Sequence, residues 1–370
     1  MTPNAPSRNQ SLDVLRCVAV LLVLGFHYPY YPLWGRLGWI GVDLFFVLSG
    51  FLISGLLFQE YKSTGSINFR RFLIRRGLKI YPSFYLLVAL AVVVSQLQHS
   101  VLLRKQALIS AVFAQGYYSG KLYTVLSHTW SLAVEEHFYI LLPPLLLLLT
   151  LVRGKRDPFY YLPALFVFLF CGCLGFRWFS LPPSYAAHMT HMRIDSLFAG
   201  VLLGYLFHFH RAWFEKLTSW YCLPFAFIFC LPAAFFDQYD RLMQTVGLSG
   251  LLIGFSLLVS WSVVRSPKSR IGQTVAQFAA RIGFYSYSIY LWHTILGETL
   301  FSGHATFGRF WLYLVVCVVG GMGMAQLVEI PYLALRDRHF PAGQASSTAP
   351  QLVSRIVQSE SSKPIFAGNL

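Results

Sequence analysis

Residues 15–30 read LRCVAVLLVLGFHYPY, an apolar run that carries an arginine, Arg16, and a histidine, His27. His27 follows Arg16 by eleven positions, and eleven helical steps of about 100° return to within roughly 20° of the starting face. A charged residue inside a membrane costs at least about 2.5–3.5 kcal/mol on insertion scales, so an intramembrane arginine indicates function by default. We therefore expect both side chains to line one cleft. The alternative is a snorkelling arginine and a structural histidine.

The composition of the whole chain is that of a membrane protein. Of its 370 residues, 56% are hydrophobic and 12% charged, and the mean hydropathy is +0.56. Apolar stretches of about 20 residues recur without the alternation typical of barrel strands. The sequence predicts an all-α, polytopic membrane helical bundle. Its ten expected transmembrane helices are 12–31, 38–60, 80–97, 128–152, 159–179, 188–209, 221–236, 245–264, 282–301 and 309–333.

The net charge of +15 is explained by membrane topology rather than by nucleic-acid binding. With the N-terminus inside, most of the 29 Lys and Arg residues fall on the cytoplasmic side, as the positive-inside rule requires. We therefore expect cytoplasmic N- and C-termini and no nucleic-acid partner. The predicted units are a cytoplasmic N-terminal segment at 1–11, a transmembrane domain at 12–335 and a disordered cytoplasmic tail at 336–370.

A basic stretch, FRRFLIRRGLKIYP at 69–82, precedes the third predicted span. It places Arg71, Arg75, Arg76 and Lys79 close to the expected level of Arg16. Such a cluster could hold phosphates, which cations bind through charge-assisted hydrogen bonds. A basic amphipathic stretch resting on anionic lipid headgroups has the same pattern, and the spacing leaves both interpretations open.

Acidic residues fall in the outer third of the predicted spans, at the expected depth of His27. They include Asp43, Glu135 and Glu136. A carboxylate beside an imidazole can orient the ring and raise its basicity, as a general base requires. Because neighbouring helical residues are about 100° apart, we expect only one of the two glutamates to face the cleft. We expect Glu135 to face the cleft, since it lies on the same helical face as Ser131 and Tyr139, at four-residue spacing.

The segment HMRIDSLFAG at 191–200 adds two charged residues, Arg193 and Asp195, at a similar depth. They predict either a structural ion pair that braces the bundle or a role in the site. The six cysteines fall in apolar runs without the spacing of metal ligands, so no metal site is expected.

The ordered set of motifs resembles the integral-membrane acyltransferase family 3, bacterial O-acyltransferases that modify surface polysaccharides and related acceptors. The family's first helix carries an arginine, ten intervening residues and a histidine, and its second helix resembles FFVLSGFLI at 45–53. The matches run in the family's order from about residue 11 to 333. The further matching positions are Arg76 and Lys79 before Ile-Tyr-Pro, Trp130, Ser131 and Glu135 in a Trp-Ser-Leu-x-x-Glu motif, Arg193 and Asp195, Tyr290 and His293, and Glu329 with Pro331.

The resemblance implies a membrane-bound O-acyltransferase, by default an O-acetyltransferase, in the bacterial cytoplasmic (inner) membrane. The donor substrate would be acyl-CoA, by default acetyl-CoA, and no bound cofactor is expected. The implied partners are the lipid bilayer and a carbohydrate acceptor, by default a polysaccharide repeat unit on a lipid carrier. The family's fused extracytoplasmic domain is not expected in this chain.

Donor binding is assigned to Arg16, Arg75, Arg76 and Lys79, because the phosphates of acyl-CoA need cations. The helical rise from Arg16 to His27 is about 16.5 Å, roughly the length of an extended pantetheine arm. A donor threaded from the cytoplasm could therefore bring its acyl group to His27.

Catalysis is assigned to His27 as the general base, oriented by Asp43 or Glu135. A covalent acyl-histidine relay is the mechanistic alternative. The other site candidates are Trp130, Ser131, Arg193, Asp195, Tyr290 and His293.

A proton-coupled membrane transporter is the alternative function, because intramembrane His, Glu, Asp and Arg residues also mark proton relays. The sequence shows no inverted repeats of the kind that many transporters carry. Dependence on acyl-CoA separates the two functions, since a transporter has no need of that donor.

Overall fold

The computed structural model describes residues 9–118, 124–152, 157–180, 188–267, 269–301 and 305–341. Within these ranges the chain forms helices and no β-strand, which confirms the predicted all-α class. Residues 1–8 and 342–370, from the two predicted terminal segments, lie outside the described residues. The main helices are α1 (Gln10–His27), α2 (Gly41–Thr64), α3 (Phe69–Leu97), α4 (Val101–Ala111), α5 (Trp130–Thr150), α6 (Leu162–Phe179), α7 (Ile194–Phe209), α8 (Cys222–Cys230), α9 (Leu248–Val263), α10 (Arg270–Phe284), α11 (Ser286–Leu300), α12 (Phe307–Met324) and α13 (Ile330–His339).

Local sequence signals set the starts of two helices that carry site residues. The side chain of Asn9 accepts a hydrogen bond from the backbone N–H of Ser11 at 3.0 Å, at the start of α1. The side chain of Asn68 accepts one from the backbone N–H of Arg71 at 2.9 Å, at the start of α3. Such caps satisfy N–H groups that have no partner within the helix. Because α3 begins at Phe69, the basic stretch forms its first turns and is continuous with the predicted third span.

Seven helical stretches of the described chain are long and apolar enough to cross a membrane. A pair of helices bent by 66°, Arg211–Leu217 with Cys222–Phe235, is an eighth candidate. Helix α7 has 16 residues and is apolar but shorter, and the predicted span at 282–301 is divided between α10 and α11. The chain is thus a multi-pass helical protein, while ten spans and cytoplasmic termini stay predictions. The seven stretches are Gln10–His27, Pro32–Thr64, Phe69–Leu97, Ser127–Thr150, Leu162–Phe179, Met243–Val263 and Phe307–His339.

Large apolar side chains cover the outer faces of the helices. On α6, for example, Phe168 is 73% exposed and Phe179 is 82% exposed. Soluble monomers rarely expose contiguous apolar surface of this kind. The exposed rings therefore support contact with lipid hydrocarbon.

Helices α2 and α7 cross in direct backbone contact at two glycines. A Cβ atom built on Gly50 would lie 1.9 Å from the carbonyl oxygen of Leu197, and one built on Gly200 would lie 2.2 Å from that of Val47. Small residues allow such close approach between membrane helices. The crossing holds α2, which carries Asp43, against α7, which starts directly after Arg193.

Replacing Gly50 by alanine is expected to lower the free energy of unfolding by about 1–3 kcal/mol, because the added methyl group would meet backbone and force the helices apart. Thermal unfolding of the purified protein in detergent measures this change. The matched control is Gly172→Ala on α6, where an added Cβ meets nothing within 4 Å. Equal midpoints for the two variants would contradict the close crossing.

Candidate functional site

Two adjoining cavities inside the bundle are lined by residues that the structure describes. The first, here the arginine cavity, encloses about 850 Å³ of space free of atoms, counting its open mouth. The second, here the histidine cavity, encloses about 650 Å³ by the same measure. Val42 on α2 and Tyr290 on α11 line both of them, so the cavities adjoin at these two residues.

The arginine cavity brings together most of the residues predicted to bind the donor. Arg16 from α1, Arg76 and Lys79 from α3 and Glu135 from α5 all line it. Three cations and one carboxylate make these walls electropositive, as binding of a phosphate-bearing ligand requires. Arg16 also pairs with Asp13 one helical turn away, at 3.2 Å.

A hydrogen-bonded chain positions the carboxylate of this cavity. Tyr139 donates its hydroxyl hydrogen to Glu135 at 2.7 Å. The hydroxyl oxygen of Ser49 lies 2.8 Å from the phenol oxygen and donates to it, because the phenol hydrogen is already used. The guanidinium of Arg76 lies 5.7 Å from the centroid of the Tyr139 ring. Glu135 and not Glu136 lines the cavity, as the helical spacing predicts.

His27 is the last residue of α1 and is exposed to the histidine cavity. Its Nδ1 atom lies 3.0 Å from the backbone carbonyl oxygen of Val23. A carbonyl oxygen can only accept, so Nδ1 of the neutral ring carries the hydrogen. Nε2 is therefore the atom with the free lone pair, and the ring is in the tautomer in which Nε2 can accept a proton.

Two buried histidines lie behind His27. The ring of His293 is 4.6 Å from that of His27, centroid to centroid, and the ring of His128 is 5.0 Å from that of His293. His293 Nδ1 donates to the carbonyl oxygen of Tyr290 at 2.6 Å, and His128 Nε2 donates to that of Leu291 at 3.2 Å. In the described part of the chain, no cluster of His, Cys, Asp and Glu residues could hold a metal ion.

Sequence reasoning missed His128. It lines the histidine cavity and lies two residues before Trp130, which lines the same cavity. The sequence feature that could have identified it is its position two residues before the Trp-Ser-Leu-x-x-Glu motif, at the outer end of a predicted span.

Ser131 and Tyr290 tie α5 to α11 where the two cavities adjoin. Their hydroxyl oxygens are 2.6 Å apart, and both lie within hydrogen-bond distance of the carbonyl oxygen of His128, at 3.3 and 2.9 Å. Both residues are buried. Their contact fixes the phenol ring at the place where the arginine cavity and the histidine cavity adjoin.

Arg193 and Asp195 do not pair with each other, as the first of their two interpretations supposed, because each residue has another partner. Arg193 donates to Asp43 at 2.7 Å. Asp195 accepts two hydrogen bonds from Arg177, at 2.8 and 3.2 Å, and Arg177 also donates to Ser249 at 3.0 Å. Residues two positions apart do not face each other at the start of a helix. Two buried pairs therefore replace one, and Arg177 is a residue that the sequence did not single out.

Arg75 does not line either cavity, contrary to its assignment to the donor site. Its guanidinium pairs with Asp337 at 3.1 Å and donates to the carbonyl oxygen of Phe340. Adjacent residues on α3 point about 100° apart, so Arg76 faces the cavity while Arg75 faces α13.

The cleft predicted for Arg16, His27 and Glu135 is divided into two cavities. Trp130 lines the histidine cavity, and Glu135 lies five residues further along α5, about 7.5 Å along its axis. Glu135 therefore lies with Arg16 and not with His27. The hydrogen bond that orients the His27 ring is donated by His27 to the carbonyl oxygen of Val23, and not to Glu135 or Asp43. The catalytic roles of these residues stay predictions.

The fold and the two adjoining cavities define a multi-pass membrane protein with an internal polar site. A family model described as an acyltransferase domain matches residues 9–328, which include every cavity residue named above. The chain belongs to this acyltransferase family, and the resemblance seen in its motifs is confirmed.

Curated relatives include proteins named for peptidoglycan O-acetylation. The chain is 28% identical to the "Peptidoglycan O-acetyltransferase OatA" of Listeria monocytogenes, over 76% of this chain and 48% of the relative. It is 30% identical to the "Putative peptidoglycan O-acetyltransferase YrhL" of Bacillus subtilis, over 76% of this chain and 47% of the relative. The chain thus spans about half the length of the curated relatives it matches. No solved structure matches it.

Proposed function

We propose that this chain is a membrane O-acetyltransferase that moves an acetyl group from acetyl-CoA to a hydroxyl group of a carbohydrate. One observation carries the proposal: a cationic cavity and a histidine-bearing cavity adjoin at Val42 and Tyr290. A group transfer between two large substrates needs two binding spaces that meet at the reacting atoms. The names of the relatives support acetyl as the transferred group.

The arginine cavity is the proposed donor site. Arg16, Arg76 and Lys79 would bind the phosphates of acetyl-CoA, and a guanidinium can bind phosphate through two parallel hydrogen bonds. The pantetheine arm would extend past Tyr290 and bring the thioester to the histidine cavity. In the predicted topology the arginine cavity opens to the cytoplasm, where acetyl-CoA is made.

His27 is the proposed general base. Its Nε2 would take the proton of the acceptor hydroxyl as the hydroxyl oxygen attacks the thioester carbon. A C–O bond forms and the C–S bond breaks. The imidazolium then returns the proton to the departing CoA thiolate, so that the ring is regenerated. The backbone carbonyl of Val23 would stabilise the imidazolium by accepting the hydrogen bond from Nδ1 of His27.

The proposed acceptor is a glycan of the bacterial cell surface, and the proposed location is the cytoplasmic membrane. Two relatives are named for peptidoglycan O-acetylation, which makes a glycan strand the first acceptor to test. The protein, reconstituted in nanodiscs, would be incubated with acetyl-CoA labelled in the acetyl group and with soluble strands of alternating N-acetylglucosamine and N-acetylmuramic acid. We expect label in ester linkage on the glycan. A transporter would leave the glycan unlabelled.

Arg76→Ala is expected to weaken binding of acetyl-CoA by about 1–3 kcal/mol, because it removes charge-assisted hydrogen bonds to phosphate. Calorimetric titration of the purified protein measures the dissociation constant. The matched control is Arg75→Ala, which removes the neighbouring arginine but leaves the cavity wall intact. If both variants lose the same affinity, the arginine cavity is not the donor site.

A further inference from the structure

The histidine cavity contains two buried oxygen atoms that accept no hydrogen bond. Gln244 is 3% exposed, Asp43 is fully buried, and both residues line this cavity. Within the described ranges, Gln244 Oε1 and Asp43 Oδ2 have no hydrogen-bond partner. Buried acceptors are nearly always paired, so each such atom calls for a donor supplied from elsewhere.

The rest of each side chain is fixed by a partner within the protein. The amide nitrogen of Gln244 donates to the carbonyl oxygen of Gln238, so the amide cannot turn over to present a donor instead. The other carboxylate oxygen of Asp43 accepts from Arg193 at 2.7 Å. What remains on both residues is an acceptor, and a ligand that satisfies both must bring two donors.

The backbone at Gln244 is unusual for a membrane helix. Met243–Gly247 forms a π-helical turn directly before α9. Such turns cost stability and occur frequently at functional sites. Gln244 is the second residue of this turn and lines the histidine cavity.

Aromatic side chains complete the cavity. Trp39, Trp130 and Tyr239 line it together with Gln244 and His27. A pocket that combines aromatic side chains with fixed polar groups is typical of a site that orients one organic ligand. Flat aromatic faces pack well against the C–H faces of a sugar ring, and its hydroxyl groups supply donors for fixed acceptors.

We propose that Gln244 and Asp43 bind two hydroxyl groups of the sugar residue that is acetylated, while Trp39 packs against its ring. The inference rests on the proposed function, because it takes the acceptor to be a carbohydrate. The two acceptor atoms call for a ligand that brings hydrogen-bond donors, and the hydroxyl groups of a polyol supply them. His27 lies in the same cavity and can receive the proton of a further hydroxyl of that sugar.

The test uses Gln244→Leu, which removes the acceptor atom at nearly constant volume. The probe is a soluble tetrasaccharide of alternating N-acetylglucosamine and N-acetylmuramic acid, with labelled acetyl-CoA as donor. We expect the KM for the tetrasaccharide to rise about tenfold while kcat changes less than about twofold, as for the loss of one bond made equally in ground and transition states. The dissociation constant of acetyl-CoA, measured by calorimetric titration, is expected to stay unchanged, because Gln244 does not line the arginine cavity.

The control is Gln273→Leu on α10, an exposed glutamine that lines neither cavity. If Gln244→Leu is not monodisperse, Trp39→Leu takes its place, because leucine keeps the apolar packing and removes the ring. The expected result is the same rise in KM for the tetrasaccharide. An unchanged KM in the variant tested overturns the subsite and means that water alone satisfies the two oxygens. A fall in kcat at constant KM overturns it as well. Absence of any transfer by the unaltered protein contradicts instead the proposed function on which the subsite rests.

Discussion

His27→Ala is expected to lower the rate of acetyl transfer by about 10²–10⁴-fold, the usual effect of removing a general base. Affinity for acetyl-CoA should stay near normal, since His27 lines the histidine cavity and the proposed phosphate contacts lie in the other one. Transfer of label to the glycan measures the first quantity, and calorimetric titration with acetyl-CoA measures the second. A loss of rate without a loss of donor affinity assigns His27 to the chemical step.

Two further variants test whether the position of His27 matters as well as its presence. His339→Ala, at the exposed end of α13, should transfer acetyl normally. One alanine inserted after Val20 would rotate His27 by about 100° relative to Arg16 and should abolish transfer with both residues present. The proposed mechanism fails if His27→Ala keeps its rate, or if the insertion is harmless.

Arg177→Leu is expected to lower the free energy of unfolding by about 3–5 kcal/mol, because it leaves the carboxylate of Asp195 buried without its partner. Both side chains of the pair are fully buried, and the hydrogen bond to Ser249 is lost as well. Thermal unfolding in detergent, followed by circular dichroism, measures the change.

The double variant Arg177→Leu with Asp195→Asn serves as the control for this pair. Asparagine carries no charge, so the double variant should recover part of the stability that the single variant loses. If the single and double variants unfold at the same temperature, the uncompensated charge is not the cause of the loss.

The sequence allows the prediction of features that depend on neighbours along one helix. The recurring apolar runs predict the helices, since each must present apolar surface to lipid or to the core. The 100° step separates Glu135, which lines a cavity, from Glu136, which accepts a hydrogen bond from Tyr81 at 3.1 Å. Arg76 and Lys79, three positions apart on one face of α3, both line the same cavity as Arg16, while their role in donor binding stays a prediction.

Features that depend on packing between distant helices could not be predicted. Arg75 and Arg76 are neighbours in the basic stretch, and the partner that holds Arg75 away from the cavity, Asp337, lies far along the chain. The partner of Arg193 is Asp43 because two glycines bring α2 and α7 together, and no local spacing contains that information. His128 lies within a short 3₁₀ turn, Ser127–Thr129, rather than on a face of an α-helix, so helical periodicity does not single it out.

The meeting of the two cavities at Val42 and Tyr290 affects how the proposed enzyme would bind its two substrates. A site with a single entrance forces the second substrate to wait for the first, because the first to bind covers the entrance. Here each substrate would have a chamber of its own, and the two would touch only where the chambers adjoin. In the proposed enzyme, neither substrate would occupy the chamber of the other, so bound acetyl-CoA would leave the histidine cavity free for a glycan chain.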